Sequence, residues 1–171
     1  MTNIDKLSGW LAGRLPADWF DQAPELTVDR DEILVVGTLT TPTYPDDAPD
    51  EVRAAAVAGR IRQYREDTRA QRIGIARELE HATGLKVAWG VVCDGTRELF
   101  TTLSVPVMSR LRQPERHVLD TLVESGVARS RSDAVAWCVR LVGNHADAWL
   151  AELRQAMEGV RTVRDTGPNL D

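Results

Sequence analysis

The apolar residues of this chain change period four times, and that alternation limits the folds open to it. Ile4, Leu7, Leu11 and Leu15, with Trp10, recur at helical spacing behind a Thr2-Asn3 cap, and Pro16 ends the run. Leu26 and Val28 then alternate with polar residues, 29–31 reads as a turn, and 33–39 is rich in β-branched side chains, so a hairpin is expected. Pro42, Pro45 and Pro49 mark an exposed loop that ends at an Asp50 N-cap. The helix expected next carries Val57, Ile61, Tyr64, Ile75 and Leu79 on one stripe and stops at Gly84. Residues 87–93 and 98–107 flank Asp94-Gly95, a pair that tolerates positive φ and signals a second hairpin.

From Pro114 the pattern is helical only. Val118, Leu119, Leu122 and Val123 share a face up to Gly126, and a second helix from Ser130 carries Ala134, Val135, Cys138, Val139 and Val142 inward. After Gly143-Asn144 the periodicity resumes with Ala146, Trp149, Leu150, Leu153 and Met157. The order predicts an α+β fold: a small antiparallel sheet with a long packed helix over 1–106, a helical unit over 107–165 and a loose tail over 166–171. The apolar stripe of the last helix needs a surface to bury, either a second copy or the N-terminal domain.

Charge and composition narrow the function. The hydrophobic fraction of 43% and charged fraction of 27% are those of a folded soluble domain. The net charge of −5 speaks against a uniformly basic nucleic-acid binder, but the first fifty residues hold ten acidic and three basic side chains, and the remainder is slightly positive. Cys93 and Cys138 lie far apart without a secretory layout before them, and no apolar run approaches the roughly 20 residues of a membrane span, so a cytoplasmic protein is expected. No P-loop, dinucleotide fingerprint, nucleophile elbow or zinc-protease motif occurs, and His81, His117 and His145 are scattered. Binding is expected here rather than catalysis, with no catalytic residue, metal or cofactor assigned. Arg62, Arg65, Arg69 and Arg72 form a stripe that reads first as a solvated helix face. Trp10, Trp19, Trp89, Trp137 and Trp149 read as core or dimer-interface anchors.

The stretch entering Pro114 has two chemically different faces. Leu103, Val105, Val107 and Leu111 lie on one, with Ser109; Thr102, Ser104, Met108, Arg110 and Arg112 lie on the other. Followed by two short amphipathic helices, and by Gly126-Val127-Ala128-Arg129-Ser130-Arg131-Ser132-Asp133-Ala134, this stretch resembles the ribbon-helix-helix fold of the Arc and MetJ repressor class over 107–142. The resemblance implies a homodimer whose paired strands enter the major groove of double-stranded DNA. It places Met108, Arg110 and Arg112 at base edges, and Ser130, Arg131 and Ser132 at a phosphate on the start of the second helix. A transcriptional regulator follows from it. The alternative is a protein-interaction or structural module in which the same helices form a dimer or partner interface. Ser130 to Asp133 also suits a plain helix cap.

Overall fold

The computed structural model describes residues 4–167, so the Thr2-Asn3 cap and residues 168–171 of the expected tail lie outside the described residues. The fold is α+β, and the chain divides after Pro106 into two compact units.

The first unit holds α1 (Ile4–Arg14), β1 (Glu25–Val28), β2 (Glu32–Thr38), α2 (Asp50–Asp67), α3 (Arg69–Thr83), β3 (Lys86–Cys93) and β4 (Thr96–Leu99). The strands form one sheet in the order β1-β2-β3-β4. Both local turns form as the residues dictate. Asp29 accepts from the Asp31 and Glu32 amides at 2.8 Å to close β1 on β2, and Asp94 (φ 46°) with Gly95 (φ 75°) closes β3 on β4.

The sheet departs from the antiparallel expectation at its centre. β2 pairs with β3 in parallel, from Glu32 opposite Lys86 to Thr38 opposite Val92. The reason is topological: two helices intervene between these strands, and a crossover of that length returns the chain to the same end of the sheet. Ile33, Val35, Trp89, Val91 and Cys93 enter one core with Val57, Ile61, Tyr64, Ile75 and Leu79 of the helices. From α1, Leu7 and Leu11 join it, and Arg14 donates to both Glu78 carboxylate oxygens at 2.9 and 2.7 Å, fastening α1 to α3.

The single long helix expected over 50–84 is two. Thr68, at φ −93° and ψ −1°, separates α2 from α3, and the Arg72 guanidinium fills in at the break. Its Nη2 donates to the Arg65 carbonyl at 2.7 Å, its Nε donates to the Thr68 hydroxyl at 2.9 Å, and its Cζ lies 4.7 Å from the Phe100 ring centroid. Arg72 is only 6% exposed, so burial pulls its pKa below the usual arginine value. The arginine stripe is therefore not a solvated face throughout, since Arg72 is core and Arg65 lies over Phe100 while pairing with Glu98 at 3.6 Å.

Gly37 is the tightest point of the sheet. A Cβ there would lie 2.0 Å from Phe20 Cε1, so the aromatic ring uses the space that glycine leaves. Phe20 in turn meets Trp19 edge-on and tilts against Tyr64. Gly37→Ala is expected to displace Phe20 and destabilise the protein by about 2–3 kcal/mol. Denaturant unfolding followed by tryptophan fluorescence checks this, because Trp19 and Trp89 sit in the same cluster.

The second unit holds α4 (Gln113–Glu124), α5 (Arg131–His145) and α6 (Asp147–Thr166). Gly126, at φ 76°, turns the chain out of α4. Thr166, placed in the tail on sequence grounds, closes α6. The core of this unit is small: Leu119, Ala128 and Ala134 are buried, with Leu111, Leu122, Val123 and Cys138 packed around them.

Candidate nucleic-acid interface

The strand expected over 98–107 stops early. Regular pairing ends at Leu99, after which the Phe100 amide donates to the Trp89 carbonyl at 2.8 Å and the Thr101 hydroxyl accepts from the Trp89 amide at 3.4 Å. Residues 102–112 belong to no helix or strand within the chain. Pro106 accounts for part of this, because it brings no amide donor to a ladder.

Of the apolar face read from the sequence only Leu111 is packed, since Leu103, Val105 and Val107 are exposed. Leu111 packs against the Leu119, Ala128 and Ala134 cluster, whereas Met108 is 97% exposed and Arg110 and Arg112 are exposed as well. Among the described residues neither arginine takes part in an ion pair. Arg112 immediately precedes α4, in extended backbone at φ −81° and ψ 174°, and its carbonyl accepts from the Arg116 amide at 3.0 Å. The Leu111 carbonyl accepts from Arg116 Nη1 at 2.8 Å. Arg116, which sequence alone placed with Arg110 and Arg112 on a solvated face, thus anchors the end of the segment to the first turn of α4.

The other half of the expected site lies at the start of α5. Ser130 is extended, and its hydroxyl accepts from the Asp133 amide at 3.2 Å, while the Asp133 carboxylate accepts from the Arg129 amide at 3.0 Å. That is a side-chain cap built in both directions, and it takes up one of the free donors of the helix terminus. Arg131 is engaged: its guanidinium donates to both oxygens of Asp120 at 2.6 and 2.8 Å, tying α5 to α4. The pair holds the Asp120 carboxyl below its ordinary pKa and raises that of Arg131, chiefly through these hydrogen bonds. Ser132 is exposed in the first turn. The Asp120 partnership is the feature that sequence reading missed, since eleven residues separate the two and no local spacing rule joins them.

Among the described residues no group of His, Cys, Asp and Glu side chains is placed to hold a metal ion, and no helix is long and apolar enough to cross a membrane. The molecule is thus an α+β protein with a helical C-terminal unit, preceded by a segment outside regular secondary structure that exposes Met108, Arg110 and Arg112. Residues 5–99 match the family model described as the N-terminal domain of Rv1265-like proteins, and 112–164 match the one described as the Mb1296 C-terminal domain. The relatives include Mb1296 of Mycobacterium bovis and Rv1265 of Mycobacterium tuberculosis, each 55% identical over 161 residues, which is 94% of this chain and 70% of theirs. The chain belongs to the Rv1265-like family. No solved structure matches it. Residues 100–111 lie between the two matched stretches, so Met108 and Arg110 fall outside both and Arg112 opens the second.

Proposed function

We propose that the protein is a homodimeric, cytoplasmic DNA-binding regulator whose C-terminal unit works as a ribbon-helix-helix. The observation that carries this reading is the segment 102–112: among the described residues it has no strand partner, it seats Leu111 on the helical core, and it leaves Met108, Arg110 and Arg112 to solvent. A strand of this kind finds its hydrogen bonds in a second copy, where two such segments pair antiparallel about a two-fold axis. Val107, 89% exposed in one chain, would then be covered by the partner.

In such a ribbon the even-numbered face meets the major groove. The arginine fork fits the O6 and N7 acceptors of guanine, and Met108 supplies apolar contact to base edges. Ser132 and the first turn of α5 offer donors to a phosphate, and Arg131 reaches the same phosphate by leaving Asp120. The small core supports dimerisation independently, because three buried residues stabilise a unit of this size poorly by themselves. The N-terminal unit would serve as the sensing or partner-binding part.

Hydrogen exchange of the full chain tests the ribbon. Amides within 107–112 are expected to exchange more slowly than those of 102–105 at concentrations where the protein is dimeric. Exchange across 107–112 at the rate of an unstructured peptide would contradict the reading.

A further inference from the structure

α6 runs for 20 residues with its apolar face uncovered. Trp149, Leu153, Met157, Val160 and Val163 are all exposed, and no residue of this helix is buried. From Ala146 at the N-cap, the residues Trp149, Leu153, Ala156, Val160 and Val163 follow at alternating steps of three and four, the spacing of a helix that packs along its length against another helix. Towards the C-terminal end of the stripe lies a shallow apolar groove lined by Ala156, Gly159, Val160, Val163 and Arg164. Gly159 helps to open it: a Cβ there would meet nothing within 4 Å, and glycine in a helix interior otherwise only weakens the helix. Towards the N-terminal end stands the Trp149 indole, 59% exposed.

A knob at one end and a groove at the other define a self-complementary surface. We infer that α6 pairs antiparallel with α6 of a second copy, the Trp149 of each chain filling the groove at Gly159 and Val160 of the other. This rests on the homodimer reading above. With the crossing point midway between Arg154 and Gln155, Trp149 faces Val160 and Gly159, Leu153 faces Ala156, and Ala146 faces Val163, so larger side chains meet smaller ones throughout. Parallel pairing would set Trp149 on Trp149 and Ala156 on Ala156, crowding one level and emptying another. The helix dipoles also oppose one another when the helices run antiparallel. The occupant is a second copy because the surface complements itself about a two-fold axis.

Disulfide trapping in the full chain tests the inference. In a Cys93→Ala, Cys138→Ala background, the pair Trp149→Cys with Val160→Cys is expected to shift to twice its mass on a non-reducing gel after mild oxidation. Each single substitution and the outer-face pair Ala151→Cys with Glu158→Cys should remain at the mass of one chain. An intrachain bridge is excluded for the first pair, because eleven helical residues span about 16 Å. Ala146→Cys with Val163→Cys repeats the test with Trp149 in place, and helical circular dichroism confirms that each variant is folded. Cross-linking of Trp149→Cys alone, or no more dimer from either pair than from the outer-face control, would overturn the inference. Sedimentation of the unsubstituted chain separates the two levels. A dimer with slow exchange over 107–112 but no α6 cross-link removes this contact alone, whereas a monomer removes the homodimer reading with it.

Discussion

Replacing both Arg110 and Arg112 with alanine is expected to abolish selective DNA binding while leaving the fold intact. Both side chains are exposed, and neither has an ion-pair partner among the described residues, so the chain loses no internal ion pair when they are removed. A bidentate arginine-guanine contact contributes about 1–3 kcal/mol of discrimination, and a dimer brings four such arginines. The affinity for a selected duplex should therefore fall by more than about a thousandfold, to the level of non-specific binding. Fluorescence anisotropy with a labelled duplex measures this, with the thermal unfolding midpoint as a control for stability. Retention of affinity within about threefold of wild type would remove the two arginines from the reading face.

Truncating the core of the first unit should produce the largest loss of stability. Ile75 is fully buried between α3 and the sheet, and Ile75→Ala is expected to cost about 3–4 kcal/mol from lost burial and the cavity left behind. That is a large share of the roughly 5–15 kcal/mol that stabilises an ordinary domain. Ile73, two residues away on the same helix, is 38% exposed, and Ile73→Ala should cost less than about 1 kcal/mol. Urea unfolding of the two variants, with unchanged slopes and separated midpoints, is the expected result. Equal losses would mean that α3 packs by a different face.

Features set by neighbouring residues were legible from sequence. Asp94-Gly95 closes the hairpin because Gly95 adopts positive φ without strain and Asp94 tolerates it. Gly84 ends α3 in the left-handed conformation, and Ser130 caps α5 with its hydroxyl. The apolar stripe of Val57, Ile61, Tyr64, Ile75 and Leu79 enters the core as its spacing implies. What escaped depends on residues distant in sequence. Parallel pairing of β2 with β3 is decided by where a two-helix crossover returns the chain, and neither strand records that locally. The break at Thr68 lies in a continuous helical pattern and is completed by Arg72, whose charge marked it for the surface. Its burial is compensated by a carbonyl, a hydroxyl and two aromatic rings, partners visible only once α2, α3 and Phe100 are assembled.

The candidate site was less legible than the fold. Alternation set Leu103, Val105, Val107 and Leu111 on one face, but only Leu111 packs on the helical core and the other three are exposed. The length of the second hairpin strand was overestimated, because alternation continues through Pro106 although pairing ends at Leu99. Arg131 read as a free phosphate ligand, yet it forms a two-point pair with Asp120 from the neighbouring helix. A phosphate at the start of α5 must therefore compete with a carboxylate already in place.

The most direct test of the DNA-binding reading is to mix the purified full chain with a pool of duplex DNA fragments at about 50 and about 200 mM salt and sequence the fragments retained. The reading predicts enrichment of a two-fold symmetric sequence, with affinity falling steeply between the two salt concentrations as phosphate contacts are screened. A folded protein that retains no duplex at the lower salt would contradict it.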